Sequence, residues 1–324
     1  MNLYRFLSRS IQGSILLTLV CAVIWMLPVI LGYAPADTTL ALQGHTLLTI
    51  PYGVALALQF VAFVAMAIAG QRLIEVAFLA PVQTYAFYGT TLCLAISLPE
   101  IHLFTFQTIA FALIYIATNQ LIRMQIFGYP SAKVVNITFA LLLAACLAPS
   151  FLLLLPMFFL ALIMMRQMNL RSLVAMLFTT ISTVMLLAGI IYLLDQTPDF
   201  DILFPDFEPI TFISIIESLE KHIWMAILLV LSMVVVVFHQ IYVLRYKILV
   251  RTLHRVLALF CLGCWVLFTL LQDNGTEIAF LNILFTSLLV SSFFSNEETV
   301  LARFLYPLLV LLSLVKPFIE FFGI

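Results

Sequence analysis

Acids gather at four places in this chain, three of them with an imidazole. They are Asp37 with His45, Glu100 with His102, Asp273 with Glu277, and a run from Asp195 through Asp199, Asp201, Asp206, Glu208, Glu217 and Glu220 to His222. These are the groups that general acid–base chemistry or a divalent cation requires, because a carboxylate accepts protons or ligates through oxygen and an imidazole titrates near neutrality. On that basis Asp37 is the candidate base, and Asp199 and Asp201 are candidate contacts to a divalent metal or to a metal-bound pyrophosphate. No organic cofactor is predicted, and a divalent metal is the one inorganic partner these acids would suit. A second set, Gln83, Tyr85 and Tyr88, lies on an apolar stretch and forms with Glu100 and His102 the candidate substrate-binding residues. Each group also has a plainer role, since loops are polar where they meet water and amides or hydroxyls on apolar helices bond neighbouring helices.

The elements that must position these groups follow from composition. Of 324 residues, 65% are hydrophobic and 9% charged, against about 25% charged in a soluble domain. A water-soluble fold could not cover so much apolar surface, whereas hydrocarbon asks only that backbone amides be satisfied within a helix or closed barrel. Long apolar runs, rather than short alternating ones, select helices. The class is therefore all-α, a polytopic transmembrane helical bundle forming a single domain over 1–324. A net charge of −1 gives no footprint for nucleic acid. The five cysteines are scattered in apolar runs, so neither a disulfide framework nor zinc spacing is present, and Cys261-x-x-Cys264 reads as helix packing.

Spans of about 20 residues fall at 13–33, 50–70, 76–98, 103–122, 134–148, 150–165, 172–194, 222–244, 256–272, 277–294 and 304–323, eleven in all. The first is too long for a signal peptide and carries a proline in its Ala34-Pro35-Ala36 triplet, so it is expected to remain as a span. Charge tests this layout independently. Arg5, Arg9, Arg72, Arg123, Lys133, Arg166, Arg171, Arg245, Lys247, Arg251, Arg255 and Arg303, twelve of the fourteen basic residues, fall on one side. By the positive-inside rule that side is cytoplasmic, the N-terminus included, in a bacterial inner membrane. The acid–imidazole groups then face outward.

Residues 134–165 are too long for one span and lie between Lys133 and Arg166, both inside, so the chain crosses an even number of times or enters and leaves from one face. The break falls at Ala148-Pro149-Ser150, where proline disfavours helix at the residue before it. A full hairpin gives eleven spans and a re-entrant one gives nine. The external loop 195–221 is acidic and includes a short interfacial helix, with Phe212, Ile215, Ile216 and Leu219 on one face. Within the membrane, ionisable residues are scarce. His239 lies near an inner end, and Lys316 and Glu320 stand one turn apart where they can pair. No phosphate loop, dinucleotide motif, HExxH or nucleophile elbow occurs, which excludes ATP-driven transport by this chain alone.

The stretch from Ser97-Leu98-Pro99-Glu100 to Asn119-Gln120, the proline-broken hairpin, Arg166-Gln167-Met168-Asn169-Leu170-Arg171 and the basic start Leu3-Tyr4-Arg5-Phe6-Leu7 form one pattern. Over most of the chain it resembles a family of uncharacterised polytopic inner-membrane proteins of Bacteroidota. A carotene-cleaving oxygenase, a description sometimes given to that family, would hold iron with four histidines. Here His45, His102 and His222 fall outside while His239 and His254 fall inside, so four cannot converge. The resemblance brings no functional residues with it.

Three functions fit these readings. One is envelope biogenesis on a lipid-linked precursor, glycosyltransferase-like, with the active face outward. Another is a transporter or flippase for a lipid or small solute, lined by the polar third span and the hairpin. The last is a membrane subunit or assembly partner without chemistry of its own. The lipid bilayer is a partner in all three.

Overall fold

Apolar runs of this length satisfy their own amides, and the chain forms thirteen α-helices and one two-stranded sheet among its described residues. The computed structural model describes residues 3–32, 38–42, 45–77, 79, 84–98, 101–128, 130–193, 223–243, 247–270, 275–294 and 300–322. In chain order these hold α1 (Leu3–Arg9), α2 (Ile11–Trp25), α3 (Leu27–Ile30), β1 (Thr38–Leu42), β2 (His45–Ile50), α4 (Tyr52–Ala77), α5 (Ala86–Ser97), α6 (Phe106–Phe127) and α7 (Pro130–Leu147). After a 3₁₀ turn (Pro149–Leu153) come α8 (Leu154–Met164), α9 (Leu170–Leu193), α10 (Ile223–Val243), α11 (Ile248–Leu270), α12 (Gly275–Phe294) and α13 (Val300–Phe322). Five helices are long and apolar enough to cross a membrane: Tyr52–Ala77, Phe106–Phe127, Leu170–Gly189, Ile248–Phe268 and Thr276–Phe294. The interfacial helix expected within 195–221 lies outside the described residues.

Helix directions follow from which residues touch. Phe63 of α4, Phe111 of α6 and Phe280 of α12 form one aromatic cluster, with Phe63 and Phe280 stacked at 5.8 Å and Phe111 and Phe280 at 4.9 Å. The Gln59–Thr108 and Gln107–Glu277 hydrogen bonds lie about one turn earlier on both partners, so the three helices run the same way. On its other side α12 stacks Phe285 on Phe260 of α11 at 4.6 Å, and Phe260 meets Phe158 of α8 at 4.8 Å. The consequence is a central helix: every residue from Glu277 to Phe294 is buried. Its Ser287, Ser291 and Ser292 hydroxyls donate to carbonyls one turn back. Small satisfied side chains of this kind let helices approach where no hydrophobic effect drives them together. By contrast α9 keeps Leu170, Phe178 and Met185 more than two-thirds exposed. An apolar shell around a packed centre is what a bilayer accommodates and water does not.

Four boundaries differ from the sequence reading. The first span breaks at Met26, because Pro28 fits only the first turn of a new helix and α3 starts there. The third is shorter than 76–98: α4 runs on to Ala77 and α5 begins at Ala86, so Thr84 and Tyr85 precede the helix. The basic stretch read as a loop is helical from Ile248, which sets His254 inside α11, fully buried, its Nδ1–H donating to the Val250 carbonyl at 2.8 Å. The connection between α3 and α4 holds an antiparallel hairpin that an all-α reading omits. In it Thr38 pairs with Ile50 and Leu40 with Leu48, and a bulge follows Leu40.

Candidate functional site

Of the residues proposed for chemistry, Asp37, Asp199, Asp201, Gln83 and Glu100 lie outside the described residues. Asp37 directly precedes β1. Tyr85, Tyr88 and His102 are described, and they do not meet. The Tyr85 amide donates to the Ser8 carbonyl of α1 at 2.6 Å, and the Tyr88 hydroxyl bonds Thr18 of α2 at 2.6 Å. His102 lies beyond the far end of α5, about 18 Å of helix from Tyr85. The two tyrosines thus join α5 to α1 and α2, and they share no pocket with His102.

His102 instead belongs to a polar network built where α5 ends and α6 and α12 begin. Its ring lies against Trp25 with centroids 4.1 Å apart, and Nε2–H reaches the Ala95 and Ile96 carbonyls at 3.3 and 3.2 Å. Burial is the main force on this imidazole and pushes it from 6.5 down to about 4. The two carbonyls oppose that shift, and the Lys316 ammonium nearby adds to it. His102 is therefore neutral at pH 7, a hydrogen-bond donor rather than a cation.

Three more side chains extend the network. Gln59 of α4 donates through Nε2 to the Ile101 carbonyl at 2.8 Å and accepts through Oε1 from the Thr108 hydroxyl at 2.7 Å. Thr108 closes the N-terminus of α6 by accepting from the Thr105 amide at 3.3 Å, which satisfies a donor that the first helical turn leaves open. Lys316 of α13 is buried and donates to the Ser97 carbonyl at the end of α5. The sequence pairs Lys316 with Glu320, whose side chain lies outside the described residues.

Glu277 is the acid that sequence reasoning underweighted. The Asp273–Glu277 pair reads as loop polarity, yet Glu277 is only 5% exposed, in the first turn of α12. The positive end of that helix favours a carboxylate there. Gln107 of α6 donates through Nε2 to Oε1 at 3.2 Å and accepts through its own Oε1 from the Thr276 hydroxyl at 2.8 Å. The Ser150 hydroxyl, on the 3₁₀ turn, faces the same carboxyl. Oε2 is buried and no donor reaches it among the described residues. One signal in the sequence pointed to this. Asn282, Thr286, Ser287, Ser291 and Ser292 place polar groups around α12, the mark of a helix that faces protein on all sides.

Opposite this network, contacts link Ser8 with Tyr85, Gln71 of α4 with the Thr84 carbonyl, and Lys133 with the Arg123 carbonyl. The bundle thus has one end rich in arginine and lysine and another holding His102, Gln59, Gln107, Glu277 and Lys316. Among the described residues no three His, Cys, Asp or Glu side chains converge as metal ligands. The second end offers a hydrogen-bonded acid, neutral donors and, at Ser97, the Lys316 ammonium, and the acid is able to hold a proton or a single cation. No family model, curated protein or solved structure matches this chain.

Proposed function

We propose that this chain is a multi-pass protein of a bacterial inner membrane that handles a lipid-linked precursor in envelope biogenesis, glycosyltransferase-like, at its outward end. The observation that carries this reading is the segregation of polarity. Basic residues gather at one end of the bundle, and a buried carboxylate, neutral donors and the Lys316 ammonium gather at the other, the side to which the charge pattern of the sequence assigns Asp37, Asp199 and Asp201. Desolvating a carboxylate is costly, so an acid kept in the bundle is a functional candidate by default. A lipid carrier reaches such an end laterally, without crossing the packed centre that α12 fills.

The chain crosses about eleven times in this proposal, with the N-terminus cytoplasmic. The hairpin over 134–165 is a full one, because each arm is long enough: α7 extends about 27 Å, and the 3₁₀ turn with α8 extends about the same. Ser150, at the turn, lies level with Glu277 near the start of α12. A re-entrant turn would stop halfway.

Lipid extracts of a deletion strain, analysed by mass spectrometry, test the reading. A sugar-linked or pyrophosphate-linked lipid accumulates in the deletion and clears when the wild-type chain is restored, but not when D37A or a D199A/D201A double variant is. An unchanged lipid profile overturns the proposal. A second reading, a membrane subunit without chemistry of its own, draws on the burial of α12 along its described length, which leaves no central path. It predicts unchanged lipids together with the loss of a partner protein from the membrane fraction of the deletion strain.

A further inference from the structure

The Glu277 network holds more than hydrogen-bond geometry needs. Four oxygen-bearing side chains from three elements meet there: Glu277 and Thr276 of α12, Gln107 of α6, and Ser150 of the 3₁₀ turn. One carboxylate oxygen lies buried with no donor reaching it among the described residues, on a residue 5% exposed. A buried acceptor left in that state is costly, and evolution rarely keeps one without a partner.

We propose that this network is a site for a single Na⁺ ion, bound between the Glu277 carboxylate and the Ser150, Thr276 and Gln107 oxygens. Hard cations select oxygen donors, and every side chain here presents oxygen. Charge sets the valence. One carboxylate neutralises a monovalent ion, whereas a divalent ion would leave a net positive charge buried in the bundle. Close packing favours the smaller ion: the Thr276 hydroxyl stands 2.8 Å from Gln107 Oε1 and Gln107 Nε2 stands 3.2 Å from the carboxylate, so a large ion would have to push the helices apart. Gln107 joins the shell by turning its amide so that oxygen rather than nitrogen faces the carboxylate. Bound there, the ion would tie α6, the turn between α7 and α8, and α12 together at the polar end. None of this depends on the reaction proposed above.

The test is thermal unfolding of the purified full-length chain in detergent, followed by tryptophan fluorescence in NaCl, KCl or choline chloride at equal ionic strength. Saturating NaCl raises Tm by about 3 °C over choline chloride, KCl raises it less, and the effect titrates with Na⁺. In E277Q the Na⁺ response is lost. Should E277Q fail to fold, S150A and Q107L keep the charge and shift the titration at least tenfold toward higher Na⁺. A wild-type chain indifferent to Na⁺, a KCl response equal to that of NaCl, or a response unaltered in E277Q, S150A and Q107L overturns the proposal.

Discussion

His102 shows how a residue chosen for chemistry acquires a different physical role from its surroundings. Pressed against Trp25 and donating to two carbonyls at the end of α5, it is held neutral by burial, with its proton affinity lowered to about 4. The unfolded chain takes up a proton near pH 6.5 and the folded chain does not until about pH 4. Stability attributable to His102 is therefore complete above about pH 6.5, falls as pH drops toward 4, and is lost below that. Its size is bounded by about 1.4 kcal/mol per unit of displacement and is reduced by the ring's partial exposure. Thermal unfolding of the wild type and H102Q at pH 7.5 and 5.0 measures it. Wild type loses more Tm on acidification than H102Q does, and equal losses would refute this account. The sequence identified His102 as a candidate, but its partners Ala95 and Ile96 are backbone carbonyls, which no residue pattern advertises. Glu277 was underweighted for the opposite reason. It was read with the loop beside it, although the polar residues that mark α12 as central begin at Asn282, five positions on.

At the scale of elements, the joint between α6 and α7 depends on one backbone angle. Gly128 ends α6 at φ 75° and ψ −149°, a region essentially closed to residues with a Cβ, although nothing lies within 4 Å of where that Cβ would stand. Strain alone therefore sets the cost of G128A, about 1–3 kcal/mol. Gly189, inside α9 and equally open, is the control: G189A is neutral or stabilises by up to about 1 kcal/mol, since alanine suits a helix better. Comparing the unfolding of the two variants decides it, and equal effects would argue against strain at the joint. The helices were legible because periods and apolar runs are local. Each predicted span overlaps a described helix, five of them long and apolar enough to cross a membrane, and the break at Ala148-Pro149-Ser150 is where the 3₁₀ turn begins. The hairpin β1–β2 was not legible. Its alternation is weak, and it pairs His45–Ile50 with Thr38–Leu42 across a bulge, in a stretch where apolar residues were read as the approach to the next span. The start of α5 was hidden similarly, since Thr84 and Tyr85 stand in the predicted span 76–98 without belonging to its helix.

For the whole molecule, the question is which end of the bundle faces the cytoplasm. Arg123, Lys133 and Arg171 lie at or beside the ends of α6, α7 and α9, and the Lys133 ammonium donates to the Arg123 carbonyl at 2.9 Å. Arginine and lysine are retained on the cytoplasmic face during insertion, so the proposed topology puts this end inside and the Glu277 end outside. Thiol labelling tests the placement well here. Cys21, Cys93, Cys261 and Cys264 are buried and Cys146 is partly buried within α7, so the native background is low. A membrane-impermeant maleimide should label T197C, in the acidic loop, in intact spheroplasts. It should label S131C, at the start of α7, only after the membrane is opened. The reverse pattern would put the acids inside and remove the outward-facing site, together with the lipid-carrier reaction proposed for it. The Na⁺ site would survive that result, because it rests on the contacts of Glu277 and not on which compartment supplies the ion.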